Sequence, residues 1–349
     1  MTVEFSHRLD GLEPDNLLAF LSLLGLLRAL EADDRGRSEE EELRPRAAWD
    51  IDLPPLRPRL VLARNVTREE VLERTARGLD ALAVVHEFGA RKDLNYSAEE
   101  CRELVEREAR AASCDSRARA DLLASLMSDA AIKDDKKKII DPTPLCLLFG
   151  QGHQHFLERL AEVPRQAAPP PRGHGKKAIP VSAIDCVSEA LFESWHRGDP
   201  TSSFRWDPEE DVRYALMAGD PTDQAYKTGT QHGANRLAAV GLAVLTLVPE
   251  TRAGRVRPSI IGGESSADGF SFAWPIWREP ATLAAIRALL AHPKLRERGA
   301  LVHLGVVDVT VSQRISVGKF MNFTRARPPA AAAQSLSSPA TSLSNPIAL

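Results

Sequence analysis

Residues 15–30 read DNLLAFLSLLGLLRAL and contain the longest apolar stretch of the chain. Asp15 and Asn16 supply an N-cap, and the leucines that follow cover most faces of a helix, which predicts a buried helix at the centre of a hydrophobic core. The stretch includes Ser22 and Arg28 and is shorter than the ~20 apolar residues that cross a bilayer, so it is not a membrane span. We expect the N-terminal half to be built around this helix.

The sequence that follows predicts further helices in the first half of the chain. An acidic run at 33–42 is typical of a solvated loop, and the proline-rich segment 49–63 predicts an extended strand. Two capping boxes, Thr67-x-x-Glu70 and Ser97-x-x-Glu100, open helices that run to about residues 85 and 112. A third helix is predicted over about residues 116–127.

The second half predicts a mixture of helices and strands after a connector rich in Pro, Gly and basic residues at 165–180. Helices are predicted over 182–195, 234–245 and 282–291, and strands over 256–261, 270–276, 301–311 and 315–323. We therefore expect an α+β fold with a largely α-helical N-terminal half and a mixed α/β C-terminal half. The predicted units are an acidic, mainly helical domain (1–164), the connector (165–180), a basic mixed α+β domain (181–327) and a disordered tail (328–349).

Charge is unevenly distributed along the chain. The net charge is −3 overall, but residues 1–162 hold 32 acidic and 24 basic residues, whereas residues 163–349 hold 16 acidic and 21 basic residues. Three stretches of the second part, 163–184, 224–249 and 309–349, contain no acid at all. Such a basic region on an acidic protein favours phosphate binding, because Lys and Arg contacts release condensed counterions. The alternative is a solvated surface of mixed charge.

Three segments are candidates for nucleic-acid contact. Residues 172–177 combine cations with glycines, residues 231–236 place polar side chains at a helix start that could attract phosphate, and residues 312–325 set cations among Phe320 and Phe323. The alternatives are a solvated linker for the first segment and buried core rings for the two phenylalanines. The predicted binding residues are Arg172, Lys176, Lys177, Arg236, Arg314 and Lys319.

No catalytic motif is present in the sequence. Gly318-Lys319 lacks the upstream glycine and the following Ser or Thr of a P-loop, and the four cysteines form no C-x-x-C pair. His153 and His155 are the one candidate metal pair, but a helix would separate them by roughly 200°. We therefore assign no catalytic residue and expect no cofactor.

Several segments together resemble proteins of type I-G (formerly I-U) CRISPR loci. GLEPDNLLAF (11–20) followed by LGLLR (24–28) is similar to the opening of their large-subunit-type proteins. A small family of these loci, described as an extension of the CRISPR helicase–nuclease, is similar over residues 5–327. Its resemblance is carried by FRWD (204–207) with Arg213-Tyr214, GANRLA (233–238) and ISVGKF (315–320).

This resemblance implies a non-catalytic, nucleic-acid-binding subunit or accessory of a crRNA-guided surveillance complex in antiviral defence. The chain has neither a Walker A motif nor an adjacent His-Asp pair, so it cannot supply the helicase and nuclease activities itself. The implied partners are crRNA or target DNA and other effector subunits, with the helicase–nuclease as a further candidate. Two alternatives stay open, a metal-dependent nuclease that uses His153 and His155 and an adaptor that recruits the helicase–nuclease. Because residues 1–10 contain no apolar signal segment, we expect a cytoplasmic protein without a membrane partner.

Overall fold

The structure is a computed structural model that describes residues 5–113, 116–134, 136–148, 155–173, 175–210, 229–252, 254–317 and 320–329. These residues confirm the predicted fold class, with most helices in the first half of the chain and most strands in the second. Residues 330–349 of the predicted tail lie outside the described residues. The helices are α1 (Leu17–Asp34), α2 (Arg68–Ala83), α3 (Ala98–Ala111), α4 (Ala118–Leu126), α5 (Phe156–Arg165), α6 (Ala183–Phe192), α7 (His232–Gly241) and α8 (Leu283–Leu290).

The strands of the described residues form four antiparallel sheets. One sheet has the order β1-β3-β2 and another the order β11-β10-β9-β8, while β4–β5 and β6–β7 are two-stranded hairpins. The strands are β1 (Phe5–Arg8), β2 (Arg46–Trp49), β3 (Pro58–Leu62), β4 (Ile132–Asp134), β5 (Ile139–Ile140), β6 (Leu247–Arg252), β7 (Arg255–Ile260), β8 (Gly263–Ser266), β9 (Gly269–Trp277), β10 (Val306–Val317) and β11 (Phe320–Phe323).

Helix α1 is the central element, as its sequence predicts. Asn16 caps it by accepting a hydrogen bond from the Ala19 N–H (3.3 Å), and every residue from Leu17 to Leu30 is buried. One face packs against α7, another against α2, and Phe20 stacks on Trp274 of β9 with ring centroids 5.3 Å apart. A helix that is apolar on all sides is stable only when neighbours cover all of them.

Glycine allows the closest of these contacts. A Cβ on Gly25 would lie 1.9 Å from the carbonyl oxygen of Leu237, so α1 and α7 touch backbone to backbone. Gly78 of α2 meets Ala29 of α1 in the same way. A methyl group at either position would force the helices apart.

One cluster of buried apolar side chains forms the hydrophobic core of the described residues, and its members range in sequence from Leu9 to Ala326. Helix α1, which precedes the segment 165–180, packs against α7, which follows it. The predicted boundary at 165–180 therefore lies between elements that share this core.

Several local predictions need correction. Asp33 and Asp34 are the last residues of α1, and their carboxylates bind the buried guanidinium of Arg74 instead of starting a solvated loop. The strands predicted over 301–311 and 315–323 are one long strand, β10, followed by the short β11. The helix considered for His153 and His155 is α5, which begins at Phe156 and has His155 as its N-cap residue. In the described part of the chain, we find no helix with the length and apolar character that crossing a membrane requires.

Candidate nucleic-acid interface

Arg172 is part of the fold. Its Nη1 and Nη2 donate to the two carboxylate oxygens of Glu189 (2.8 and 2.7 Å), and its Nε donates to Asp199 (2.8 Å). Hydrogen bonding to Glu189 raises the pKa of Arg172 above its ordinary value. Its backbone also pairs with Ile179 in both directions, which closes the connector into a loop. Because these carboxylates engage all three guanidinium nitrogens, Arg172 holds the loop in the free protein, and its predicted contact with phosphate stays a prediction.

Lys176 and Lys177 lie at the exposed end of this loop. They belong to a short 3-10 turn, Gly175–Lys177, and both side chains face solvent. Within the described residues, neither ammonium group forms an ion pair. Both remain available to a phosphate group.

Arg236 is buried, with 1% of its surface exposed. Its Nε donates to the carbonyl oxygen of Pro164 (2.9 Å), and its Nη2 binds Asp80 of α2. The side chain therefore joins α7 to α2 and to the end of α5. In this conformation the guanidinium faces protein partners instead of solvent, and its predicted contact with nucleic acid stays a prediction.

The N-terminus of α7 already carries an anion. Residues 231–236 are buried, and the carboxylate of Asp199 accepts a hydrogen bond from the His232 N–H (3.2 Å). The helix dipole favours a negative charge at this position, and Asp199 provides it from inside the protein. The predicted attraction of phosphate to residues 231–236 is therefore corrected to an internal cap.

Arg314 lies on β10 and is half-buried. Its Nη1 donates to the carbonyl oxygen of Pro144 (3.0 Å), and its guanidinium carbon is 5.4 Å from the ring centroid of Phe270. Burial lowers the pKa of Arg314. Phe323 is buried against Phe270, which bears out the core alternative for this ring. Lys319 and the side chain of Phe320 lie outside the described part of the structure.

The described residues do not assemble a metal site. His153 lies outside them, and His155 pairs through Nδ1 with the carboxylate of Asp93 (3.0 Å) at the start of α5. Across the described ranges, no group of three or more His, Cys, Asp or Glu side chains could hold a metal ion. The nuclease alternative thus gains no support from His155.

The charges of cations from three separate elements act on Asp141. The backbone N–H of Asp141 bonds to Ala131 (2.8 Å), which places its carboxyl group beside the β4–β5 hairpin. Burial raises the pKa of Asp141, and the charges of Lys133, Arg257 and Arg314 oppose that rise. Arg314, a predicted binding residue, thus acts on the same carboxyl group as two cations from other stretches of the chain.

The β6–β7 hairpin carries three arginines close to its turn. Arg252 and Arg255 stand directly opposite each other in the register, and Arg257 stands opposite Glu250. Because side chains alternate between faces along a strand, these three arginines share one face, and all three are exposed. Within the described residues, neither Arg252 nor Arg255 has an ion-pair or hydrogen-bond partner for its side chain.

The β4–β5 hairpin adds exposed lysines to the same region. Its turn is shaped by Asp134, whose carboxylate accepts hydrogen bonds from the backbones of Lys136 and Lys137 (3.0 and 3.1 Å). The acidic side chain thus turns toward the backbone while the lysine side chains stay exposed. We define the basic surface as Lys133, Lys136, Lys137, Lys138, Arg252, Arg255, Arg257 and Arg314.

Most residues of the basic surface are not among the predicted binding residues. The run of lysines at 136–138 is typical of a polar loop, and residues 256–261 predict a strand, so neither pattern indicates a binding surface. One signal was available, because the alternation Arg255-Val256-Arg257 puts two arginines on the same face of any strand. Their proximity to Lys133 and Arg314 arises from tertiary packing and has no sequence signal.

No protein-family model, curated protein or solved structure matches this chain.

Proposed function

We propose that this chain is a non-catalytic, nucleic-acid-binding subunit or accessory of a type I CRISPR surveillance complex. The CRISPR assignment rests on the sequence resemblance over residues 5–327. The binding role is supported by the basic surface, and above all by Arg252 opposite Arg255 at the exposed end of a hairpin.

Like charges directly opposite each other destabilise a strand pair. With no acidic partner in the described residues, the Arg252–Arg255 pair retains this repulsion in the free protein. A bound phosphate would offset it and would release counterions on binding. Such a pair is therefore better explained by a polyanionic ligand than by a contribution to stability.

The first test is co-expression of the tagged full chain with its neighbouring genes and a CRISPR array. Recovery of a complex that contains crRNA supports the proposed function. Co-purification with protein partners but without RNA or DNA, combined with no binding of added nucleic acid, would favour the adaptor instead.

The second test removes charge from the hairpin. The triple variant R252Q/R255Q/R257Q should weaken nucleic-acid binding and reduce the slope of log K against log salt by about 2 to 3, since each duplex phosphate contact contributes about 0.9. The matched control is R102Q/R107Q/R110Q on α3, whose arginines are more than half exposed and pair with Asp129, Glu108 and Glu106. Equal salt slopes for the two triple variants would contradict a binding role for the hairpin.

A further inference from the structure

The composition of the basic surface indicates which form of nucleic acid it binds. Proteins that bind single strands without sequence preference combine cations with aromatic rings on which bases stack. Among the described side chains, the exposed large apolar residues include no Phe, Tyr or Trp. Phe270, which lies under the Arg314 guanidinium, and Phe323, the register partner of Arg314 on β11, are both buried and pack edge to face.

Among the described residues, the partly exposed aromatic rings lie on other elements. Phe192 lies under the guanidinium of Arg68, 3.8 Å from the ring centroid, and Trp195 lies under Arg197 and donates its Nε1–H to Ala190. Phe5 is in the edge strand β1 and pairs with Leu62. None of these belongs to the elements that carry the basic surface, so the described part of this surface offers cations without a stacking platform.

The β6–β7 hairpin has the dimensions of a groove-binding element. It is a two-stranded ribbon of six residues per strand, and the major groove of a duplex admits a ribbon of this kind. Arg255 and Arg257 are two residues apart on one face, a separation of ~7 Å along the strand. Along one strand of a duplex, phosphates rise by about 3.4 Å per step along the axis, so ~7 Å corresponds to every second phosphate.

The cations are divided between two separate hairpins, and the charges of Lys133 on one and Arg257 on the other both act on Asp141. A duplex presents two rows of phosphates, which suits two separate groups of cations better than a single flexible strand does. We infer that the basic surface binds double-helical nucleic acid, with the β6–β7 ribbon directed into a groove and the β4–β5 lysines on the flanking backbone. This inference rests on the proposed function.

The test measures binding of the full chain to a labelled DNA duplex, an RNA duplex of the same sequence and each single strand, over a series of salt concentrations. We expect at least one duplex to bind 10-fold or more tightly than either of its strands. Comparing the two duplexes then separates a B-form from an A-form ligand. For the preferred duplex, R252Q/R255Q should reduce the salt slope by about 2, and R107Q/R110Q should leave it unchanged.

The outcomes separate this inference from the proposed function. If the single strands bind as tightly as the duplexes, the duplex inference is wrong and the proposed function stands. If no form binds and the co-expressed complex contains no nucleic acid, the proposed function fails and the inference fails with it. Melting temperatures establish that R252Q/R255Q is folded, and K136Q/K137Q on the other hairpin provides an independent variant with the same expected direction.

Discussion

The side-chain amide of Asn16 donates a hydrogen bond to Oδ1 of Asp207 over 2.9 Å, across 191 positions of the sequence. Its carbonyl oxygen accepts the Ala19 N–H at the start of α1, and Arg197 donates to the other oxygen of Asp207 (2.7 Å). Both Asn16 and Asp207 are buried. One asparagine therefore caps the central helix and fixes the loop that contains FRWD (204–207).

The two functions of Asn16 can be separated by substitution. Asn16→Ala removes both bonds and should lower the free energy of unfolding by about 1 to 3 kcal/mol. Asn16→Asp keeps the cap but places a second carboxylate beside that of Asp207. We therefore expect Asn16→Asp to be less stable than Asn16→Ala at pH 7. This difference in stability between the two variants should shrink toward pH 4, where the carboxyl group introduced at position 16 binds a proton and can donate a hydrogen bond. Urea denaturation at both pH values measures this, and wild-type stability of Asn16→Asp at pH 7 would contradict it.

Gly25 tests the backbone contact between α1 and α7. In an exposed helix, glycine to alanine stabilises by roughly 0.5 to 1 kcal/mol. Because the new methyl group would lie 1.9 Å from the Leu237 carbonyl oxygen, we expect Gly25→Ala instead to destabilise by about 1 to 3 kcal/mol. As a control, Ala81→Gly at an exposed position of α2 measures the intrinsic difference in helix propensity between alanine and glycine. A more stable Gly25→Ala variant would show that the helices do not approach so closely.

His86 should make stability depend on pH. Burial, reinforced by the charge of Arg28, lowers the pKa of His86 to about 3, and the neutral ring donates from Nδ1 to the Leu160 carbonyl oxygen. The unfolded chain binds this proton near pH 6.5, whereas the folded chain does not until about pH 3. Stability is therefore present above pH 6.5 and falls with decreasing pH across that window, by up to about 1.4 kcal/mol per unit. Denaturation curves of wild type and His86→Gln should converge as the pH falls, and parallel pH profiles would contradict the assignment.

Arg236 should affect stability and not binding. Arg236→Met keeps much of the buried volume but leaves the Pro164 carbonyl oxygen without its donor, so we expect a loss of about 1 to 3 kcal/mol. Asp80 is largely exposed and returns to water when its partner is removed. The salt slope for nucleic acid should match that of the wild type at temperatures where the variant is folded. A changed slope would support the predicted contact of Arg236 with nucleic acid.

Lys176 and Lys177 show the opposite expectation. K176Q/K177Q should leave the melting temperature unchanged, since both side chains are exposed on a loop that Arg172 holds. If the loop follows a phosphate backbone as predicted, the variant reduces the salt slope by up to about 2. Arg172→Gln is the companion variant and should lower the melting temperature. An unchanged slope in K176Q/K177Q would leave the solvated-linker alternative in place.

Local patterns predicted the secondary structure well where the deciding contacts are local. Ser97 and Glu100 form both bonds of the predicted capping box, and Thr67 makes the expected bond to the backbone of Glu70. Charge patterns were less informative, because a sequence shows that a residue is cationic but not what lies beside it. In the sequence, Arg172 and Arg236 are cations like Lys176. In the structure, Arg172 pairs with Glu189 of α6 and with Asp199, and Arg236 pairs with Asp80 of α2. The basic surface could not be predicted for the same reason, because Lys133, Arg257 and Arg314 act on the same carboxyl group, that of Asp141, only in the folded chain.

The position of α1 also has a consequence for biosynthesis. The Oγ of Ser22 lies 2.9 Å from the carbonyl oxygen of Ala234, 212 positions later, Phe20 stacks on Trp274, and the Ala326 N–H bonds to Asp15. This long, buried helix thus leaves the ribosome well before the residues that cover it. Contacts of such long sequence separation form slowly, and uncovered leucines promote aggregation in the interval. We expect the nascent chain to depend on chaperones until β9 and β10 have been synthesised.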